Sequence, residues 1–440
     1  MNSILKFNKK FSEALLNKTY ADQTNIRDLL RTYLPKETQI DQKYDQSVFS
    51  KNDDRFYEKN ETDQNKSLIY NHINESINNK QADHLRIGHW NVLHQTGLND
   101  PKNYALAKTI LFNKYDIIGL TEIWPAENNN QEQNNLPLIG IIKYLNKLSG
   151  SDDYDFLISD NLKGSENDKL ATNEHTSTER IGIIYNKKKV KPIPFANNKI
   201  GYIYSNPLQP GKYEKAETDY SRPPFAIKFA SIGQIKNDFT LVFGHLDSPG
   251  TYPSNTEYQK KEHLLKRTEL VNKKVISTNQ MINKYEQGSR EVDDAERLVK
   301  VMEEIKKIDN NKDDDYFFLG DTNIRLHNQQ WVFRTLIQNG YSSVFSDNDL
   351  FKSSLSVNPG EFSNPYDKIF SQVNGLTISN PSIYNLWNVY EDQIVDQEWL
   401  KKVRSLYPNE YHDKLFYIRN DISDHAPTFF DLGLNKNDTK

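Results

Sequence analysis

The chain has 440 residues, of which 36% are hydrophobic and 12% aromatic, and it contains no cysteine. Disulfides, thiolate metal sites and a cysteine nucleophile are therefore excluded, and any metal must be held by oxygen or imidazole. The formal net charge of -4 excludes a nonspecific polybasic coat for nucleic acid, while leaving room for a local phosphate-binding cleft.

Residues 1–83 open with a weak helical pattern (Phe11, Leu15 and Leu16, then Ile26, Leu29 and Leu30) and continue as DQKYDQSVFSKNDDRFYEKNETDQNK, dense in charge and poor in aliphatics. This predicts an N-terminal extension, partly helical and partly flexible. The start MNSILKFNKKFSEALLNKTY lacks the apolar stretch and small-residue cleavage site of a signal peptide, and no window approaches 18 apolar residues, so no transmembrane segment is expected.

From Leu85 the pattern changes to strands. LRIGHWNVLH alternates, with Ile87, His89, Asn91 and Leu93 on one face and Trp90 and Val92 on the other. A helical stretch, NYALAKTILFNK, leads to a buried strand, YDIIGLTEI, whose polar end is Thr121 and Glu122. TERIGIIYN, PPFAIKFASI and DFTLVFGHLDSPG predict three more strands. Two helices follow, one with Leu264, Val271, Val275 and Ile282 at helical spacing and one with Val292, Ala295, Leu298, Met302 and Ile305.

The stretch YFFLGDTNIRL then runs apolar from Tyr316 to Leu319, exits through Gly320, and leaves Asp321 and Asn323 at the strand end. A helix around Trp331 to Ile337, the strand NPYDKIF and the closing ISDHAPTFFDL complete the chain. Strands that each end in a carboxylate, amide or imidazole, with helices between them, predict an α/β fold of two sheets packed face to face with helices outside.

Each polar group taken alone has an ordinary explanation. Asp321 and Asn323 can turn the chain, Glu122 can cap it, His245 can be a loop histidine, and Asp424 and His425 can open an edge strand. Their collective order is harder to account for that way. Asn91, Glu122, His245, Asp321, Asn323, Asp367, Asp424 and His425 all fall at strand ends, giving an oxygen-rich site with two imidazoles. Carboxylates and amides suit a hard divalent cation, Mg²⁺, Mn²⁺ or Ca²⁺, and imidazoles beside carboxylates suit proton transfer near neutral pH.

At these residues the chain resembles the endonuclease/exonuclease/phosphatase superfamily, over about residues 85 to 433. The family's first strand ends in an asparagine (WNV here, Asn91) and its second in a metal-binding glutamate (GLTEI, Glu122); its GDxN is GDTN here and its SDHxP is SDHAP. The resemblance implies a two-sheet α/β sandwich of the deoxyribonuclease-I type over 84–435, with divalent metal, Mg²⁺ foremost, held by Glu122, Asn91 and Asp424. It further implies His245 and His425 as general acid and base, with Asp321 and Asn323 orienting phosphate and water or helping hold a second metal.

The nuclease branch is the most similar. TERIGIIYN implies Glu179 as partner of His245, SRPPFAIKF implies Arg222 as a phosphate contact, and NPYDKIF implies Asp367 behind His425. HLDSPG is similar to the membrane-associated nucleases of mycoplasmas, which favours a secreted or cell-surface enzyme. The implied substrate is DNA, with RNA left open. The alternative on the same fold is an inositol-polyphosphate or phospholipid phosphoesterase, since GDTNIRL also resembles the GDxNxR motif of inositol polyphosphate phosphatases. A catalytically dead binding module is expected to have lost one of Glu122, His245, Asp321 or His425, and all four are present. The stretches 195–221 and 251–312 depart from the family as insertions.

Overall fold

The computed structural model describes residues 77, 80–124, 131–164, 179–214, 217–248, 264–283, 287–310, 313–408 and 412–436, all within the unit Asp54–Lys440. The extension expected over 1–83 lies outside the described residues except for Ile77 and 80–83.

The principal strands are β1 (His84–Gln95), β2 (Ile117–Ile123), β3 (Tyr154–Ile158), β4 (Arg180–Asn186), β5 (Val190–Ile193), β6 (Phe225–Ser231), β7 (Asp238–His245), β8 (Tyr316–Asp321), β9 (Asp367–Gln372), β10 (Thr377–Ile383) and β11 (Thr428–Gly433). The longer helices are α1 (Asp100–Phe112), α2 (Gln131–Ser149), α3 (Ser289–Ile308) and α4 (Gln397–Ser405). A six-stranded sheet runs β10-β11-β1-β2-β4-β3. A seven-stranded sheet runs from the short strand Ser342–Ser343 through β9-β8-β7-β6-β5, with Tyr202–Ile203 also on β6. One parallel pair lies in each sheet, β1 with β2 and β7 with β8.

The two-residue period of the strands sorts the core into layers. Between the sheets lie Leu85, Ile87, Ile117, Ile183, Ile227, Leu241, Phe243, Phe317, Leu319 and Phe430. Trp90 and Val92, on the opposite face of β1, pack with Leu106 and Ile110 of α1. On the outside of the second sheet, Val242 and Phe318 meet Val292, Ala295, Leu298 and Met302 of α3. The sandwich expected from the sequence is thus the fold observed. Contact between β7 and β8 is close because Gly320 lacks a side chain: a Cβ there would sit 2.2 Å from the carbonyl oxygen of Gly244.

Two sequence expectations change. The stretch with Leu264, Val271, Val275 and Ile282 is not one helix; it forms a short strand Leu264–Leu265, a helix Arg267–Asn272, and turns. Lys274 takes a φ of 55°, and the Val275 amide folds back onto the Leu270 carbonyl, which stops the helix one turn into the apolar pattern. The helix expected around Trp331 to Ile337 is split into Gln329–Val332 and Arg334–Gln338 at Phe333. Among the described residues no helix is long and apolar enough to cross a membrane.

The first strand is anchored by a buried charge. Arg86, with no exposed surface, forks onto Asp431 of β11 at 2.7 and 2.9 Å and donates to the carbonyls of Ile77 (3.1 Å) and Asn113 (2.9 Å). Its guanidinium also lies 4.3 Å from the centre of the Phe429 ring. Removing one member of such a pair strands the other charge in the interior. Arg86→Met is therefore expected to lower stability by about 3–5 kcal/mol in urea unfolding, and adding Asp431→Leu to recover most of that loss. A double variant as unstable as the single one would contradict this account.

Candidate active site

The strand register assembles the site before any side chain is considered. His245, the last residue of β7, is the register partner of Asp321, the last residue of β8, and Asp321 is the partner of Asp367, the first residue of antiparallel β9. Three chemistry-bearing residues therefore stand in one row at one edge of the second sheet. At the facing edge of the first sheet, β1 and β2 are in register from Ile87 to Asn91, which sets Asn91 beside Thr121 and next to Glu122.

Both histidines are buried and backed by carboxylates. His245 Nδ1 is 2.8 Å from Glu179 Oε1, and His425 Nδ1 is 2.7 Å from Asp367 Oδ2. The opposite nitrogens converge: His245 Nε2 and His425 Nε2 stand 3.7 and 3.5 Å from the same atom, Asp321 Oδ2. Asn91 Nδ2 reaches that oxygen at 3.1 Å and Glu122 Oε1 at 2.9 Å, while the Asn91 side-chain oxygen accepts the Leu93 amide at 3.0 Å. Asp321 Oδ1 accepts the Asn323 amide at 3.1 Å, and Asn323 Nδ2 donates to the Leu246 carbonyl at 3.3 Å. Glu122 and Asn323 both adopt left-handed backbone, with φ of 60° and 54°. For non-glycine residues that conformation persists only where surrounding contacts enforce it. Around Glu122 those contacts are the His94 amide on Oε2 at 2.9 Å and its own amide on Glu179 at 3.1 Å.

Burial and charge pull the protonation equilibria apart. For His245, burial and Arg222 favour the neutral ring, but Glu179 and Asp321 outweigh them and its pKa is raised. Burial opposes the charged ring of His425 too, yet Asp367 and Asp321 hold its pKa well above the usual value. Burial works against ionised Glu179, and His245 with Arg222 nevertheless brings its pKa down to about 2. Glu122 is the opposite case. Burial lifts its carboxyl above the usual range, Asp424 and Glu179 add to the lift, and His245 and Asn91 offset only part of it.

The donor set next to Glu122 suits a cation. Asp424 Oδ1 is buried with no hydrogen-bond partner, and its carboxylate bears on that of Glu122. Two carboxylates that burden one another at a water-facing edge are what a hard divalent ion neutralises. The set is small: among the described residues no group of three or more histidine, aspartate or glutamate side chains is arranged to hold a metal.

All the candidate site residues named from the sequence are described, and Arg222 differs most from its expected surroundings. Its Nε and Nη2 donate to the carbonyls of His245 (3.1 Å) and Leu246 (2.7 Å), and Nε lies 3.6 Å from Glu179 Oε2, so the guanidinium braces the His245 loop. Sequence reasoning missed three neighbours. His89 Nδ1 lies 2.9 Å from Asp367 Oδ1, off hydrogen-bond alignment, leaving Asp367 between two imidazoles. Ser423 Oγ donates to the Asn91 carbonyl at 2.6 Å and accepts the His425 amide at 2.9 Å, which ties the SDHAP loop to β1. Lys102 is buried and bonds the Leu93 carbonyl; burial lowers its pKa to about 8 despite Asp421, Glu122 and Asp424. The β1 alternation already set His89 on the Asn91 face, whereas nothing in the sequence pointed to Lys102.

No protein-family model matches the chain. A Mycoplasma pneumoniae protein described as uncharacterized is 30% identical over 223 residues, which is 49% of this chain and 38% of that protein, so the match spans well under half of the relative. Solved structures similar to the chain include an endonuclease/exonuclease/phosphatase from Bacteroides vulgatus, at 14% identity and a TM-score of 0.44 over 80% of this chain and 99% of that one. The human Nocturnin catalytic domain with bound sulfate is similar at 12% identity and a TM-score of 0.42, over 81% and 96%. D. rerio TDP2 complexed with a single-strand DNA product is similar at 16% identity and a TM-score of 0.41, over 79% and 98%.

Proposed function

We propose that the chain is a divalent-metal-dependent phosphodiesterase of the endonuclease/exonuclease/phosphatase superfamily that acts as a nuclease on DNA, with RNA as a second substrate class to be tested. The observation that carries this reading is the convergence of two carboxylate-backed imidazoles on Asp321 Oδ2, at 3.7 and 3.5 Å. A phosphodiester resists hydrolysis because its negative centre repels the nucleophile, and its leaving oxygen must be protonated. Two histidines on either side of one carboxylate suit that demand, one receiving a proton from water while the other donates to the leaving oxygen.

The remaining roles follow from the contacts. Glu179 and Asp367 hold each ring through Nδ1, so that Nε2 faces the reacting atoms. Asn91 and the Asn323 amide fix the Asp321 carboxylate, which would orient the attacking water or the phosphate. Glu122 and Asp424 would hold the cation, with Asn91 steering Glu122. When bound, the ion supplies Lewis-acid stabilisation of charge on the phosphate oxygens. Arg222 would act through the His245 loop, extending to the phosphate when substrate enters.

Cleavage should require divalent metal. Purified protein offered plasmid DNA, single-stranded RNA and a phosphoinositide, each with and without Mg²⁺, is expected to cut nucleic acid only with the ion. Activity on DNA in excess chelator would defeat the metal assignment, and phosphate release from the phosphoinositide alone would move the reading to the phosphatase branch.

His245→Ala and His425→Ala are each expected to slow single-turnover cleavage by about 10²-fold or more, the scale for a positioned proton-transfer group. Groups that act as one unit are not additive, so the double variant should fall far short of the product of the two losses. A folded His425→Ala protein that cleaves at the normal rate would remove the two-histidine mechanism.

The raised pKa of His245 rests chiefly on Glu179, with Asp321 helping, against burial and Arg222. Replacing Glu179 by glutamine leaves Asp321 alone against burial and Arg222, so the His245 pKa should fall below its wild-type value. In the wild type the raised pKa contributes stability that is complete below about pH 6.5 and is lost as pH rises through the folded-state value; Glu179→Gln should reduce that pH-dependent part. Ring NMR titration and urea unfolding at several pH values check both, and an unmoved His245 titration would show that Glu179 does not set its charge.

A further inference from the structure

The two inserted stretches join each other beside the site. The short strands Gln209–Pro210 and Glu217–Thr218 pair into a hairpin, and α3 grips it. Asp293 Oδ1 accepts the amides of Lys212 (2.8 Å) and Tyr213 (3.0 Å), and Asp293 Oδ2 that of Glu214 (2.8 Å). Arg297 Nη1 donates to the Thr218 carbonyl at 3.0 Å, and Ser289 Oγ to Glu214 Oε2 at 2.6 Å.

The same helix reaches toward the candidate site through Arg290. Its buried guanidinium donates from Nη2 to Ser221 Oγ at 2.6 Å, and Nε lies 3.6 Å from Asp247 Oδ2. Ser221 precedes Arg222, and Asp247 lies two residues past His245, so this one side chain spans the two loops that carry those groups. One turn further along the same helix, the main-chain carbonyl of buried Asp294 accepts the hydroxyl of Tyr220, the residue before Ser221, at 2.7 Å. Arg222 closes the gap from the other side by donating to the His245 and Leu246 carbonyls.

We propose that Arg290 is a positioning residue: it fixes the 220–222 and 245–247 loops against α3 and thereby sets Arg222 and His245 relative to each other. The inserted helix is then part of the machinery rather than an ornament on the fold. The reaction in which this matters is the nuclease reaction proposed above. The competing role is stability alone, since a buried guanidinium between polar loops also holds structure together.

Lysine at 290 keeps the charge near Asp247 but loses the planar fork that serves both loops. The test is single-turnover cleavage of one defined DNA duplex, well below the melting temperature, by wild type, Arg290→Lys, Arg222→Ala and the double variant, with histidine-ring NMR of the same proteins. Arg290→Lys is expected to slow cleavage roughly ten- to a hundredfold, the scale of a small misplacement. The double variant should be no slower than Arg222→Ala, because the two residues act on one arrangement. The His245 ring signals should move while those of His425 stay. A folded Arg290→Lys protein with the normal rate, losses that multiply, or unmoved His245 signals would each overturn the proposal. If Arg290→Lys does not fold, Ser221→Ala removes the acceptor of the Nη2 bond and is judged by the same criteria. Should the wild type fail to cut DNA, the nuclease reading falls, and the NMR comparison still decides the role of Arg290.

Discussion

The arrangement depends on one row of register partners. Because β7 and β8 run parallel and β9 returns antiparallel, His245, Asp321 and Asp367 come to the same edge of the same sheet. A slip of one residue in any of these strands would turn its end residue to the other face and break the row. The glycine at 320 permits the close approach of β8 to Gly244 that this register needs, and the apolar residues of β7 and β8, sorted between the inter-sheet core and α3, hold it in place.

That row concentrates negative charge where water is scarce, and the surrounding contacts read as the response. Glu179 is compensated by His245 and Arg222, and Asp367 by the two imidazoles of His425 and His89. Asp321 is shared among Asn91, Asn323 and the two Nε2 atoms. Glu122 and Asp424 are the exception, since burial and mutual repulsion act on Glu122 and one Asp424 oxygen has no partner. That pair is served less well than the other two, with Lys102 and His245 acting on it only partly, and it is where the proposed cation would sit.

Backbone geometry contributes as much as side-chain chemistry. Leu93, His94, Glu122 and Asn323 all hold left-handed conformations around this edge, and each is tied by a hydrogen bond into the Asn91, Glu122 and Asp321 cluster or the loops beside it. Such strain is tolerated where it aims a group, and here it accompanies the turn at the ends of β1 and β2 where Asn91 bonds both Glu122 beside it and Asp321 from across the sandwich.

The amino-acid sequence by itself determined the strands that carry the site, their apolar faces and the polar residue at their ends, because a two-residue period and a terminating glycine or polar group are local properties of the chain; the flanking strands β3, β5 and β10 were not legible in it. Alternation in LRIGHWNVLH told Asn91 and His89 from Trp90 and Val92, whereas the pairing of Glu179 with His245 and of Asp367 with His425 was implied only by the resemblance to the superfamily. Helical spacing misled over Leu264 to Ile282, where a left-handed residue interrupts a pattern that periodicity alone cannot distinguish from a helix. The tertiary structure alone decided that Arg222 braces the His245 loop, that His89 shares Asp367, that Lys102 lies beneath the Glu122 edge, and that the two insertions meet through Asp293 and Arg297. Those are contacts between segments far apart in the chain, such as Asn91 and Asp321 at a separation of 230 residues. No local preference encodes them; they exist only once the sheets have packed and the loops have found donors and acceptors across the gap.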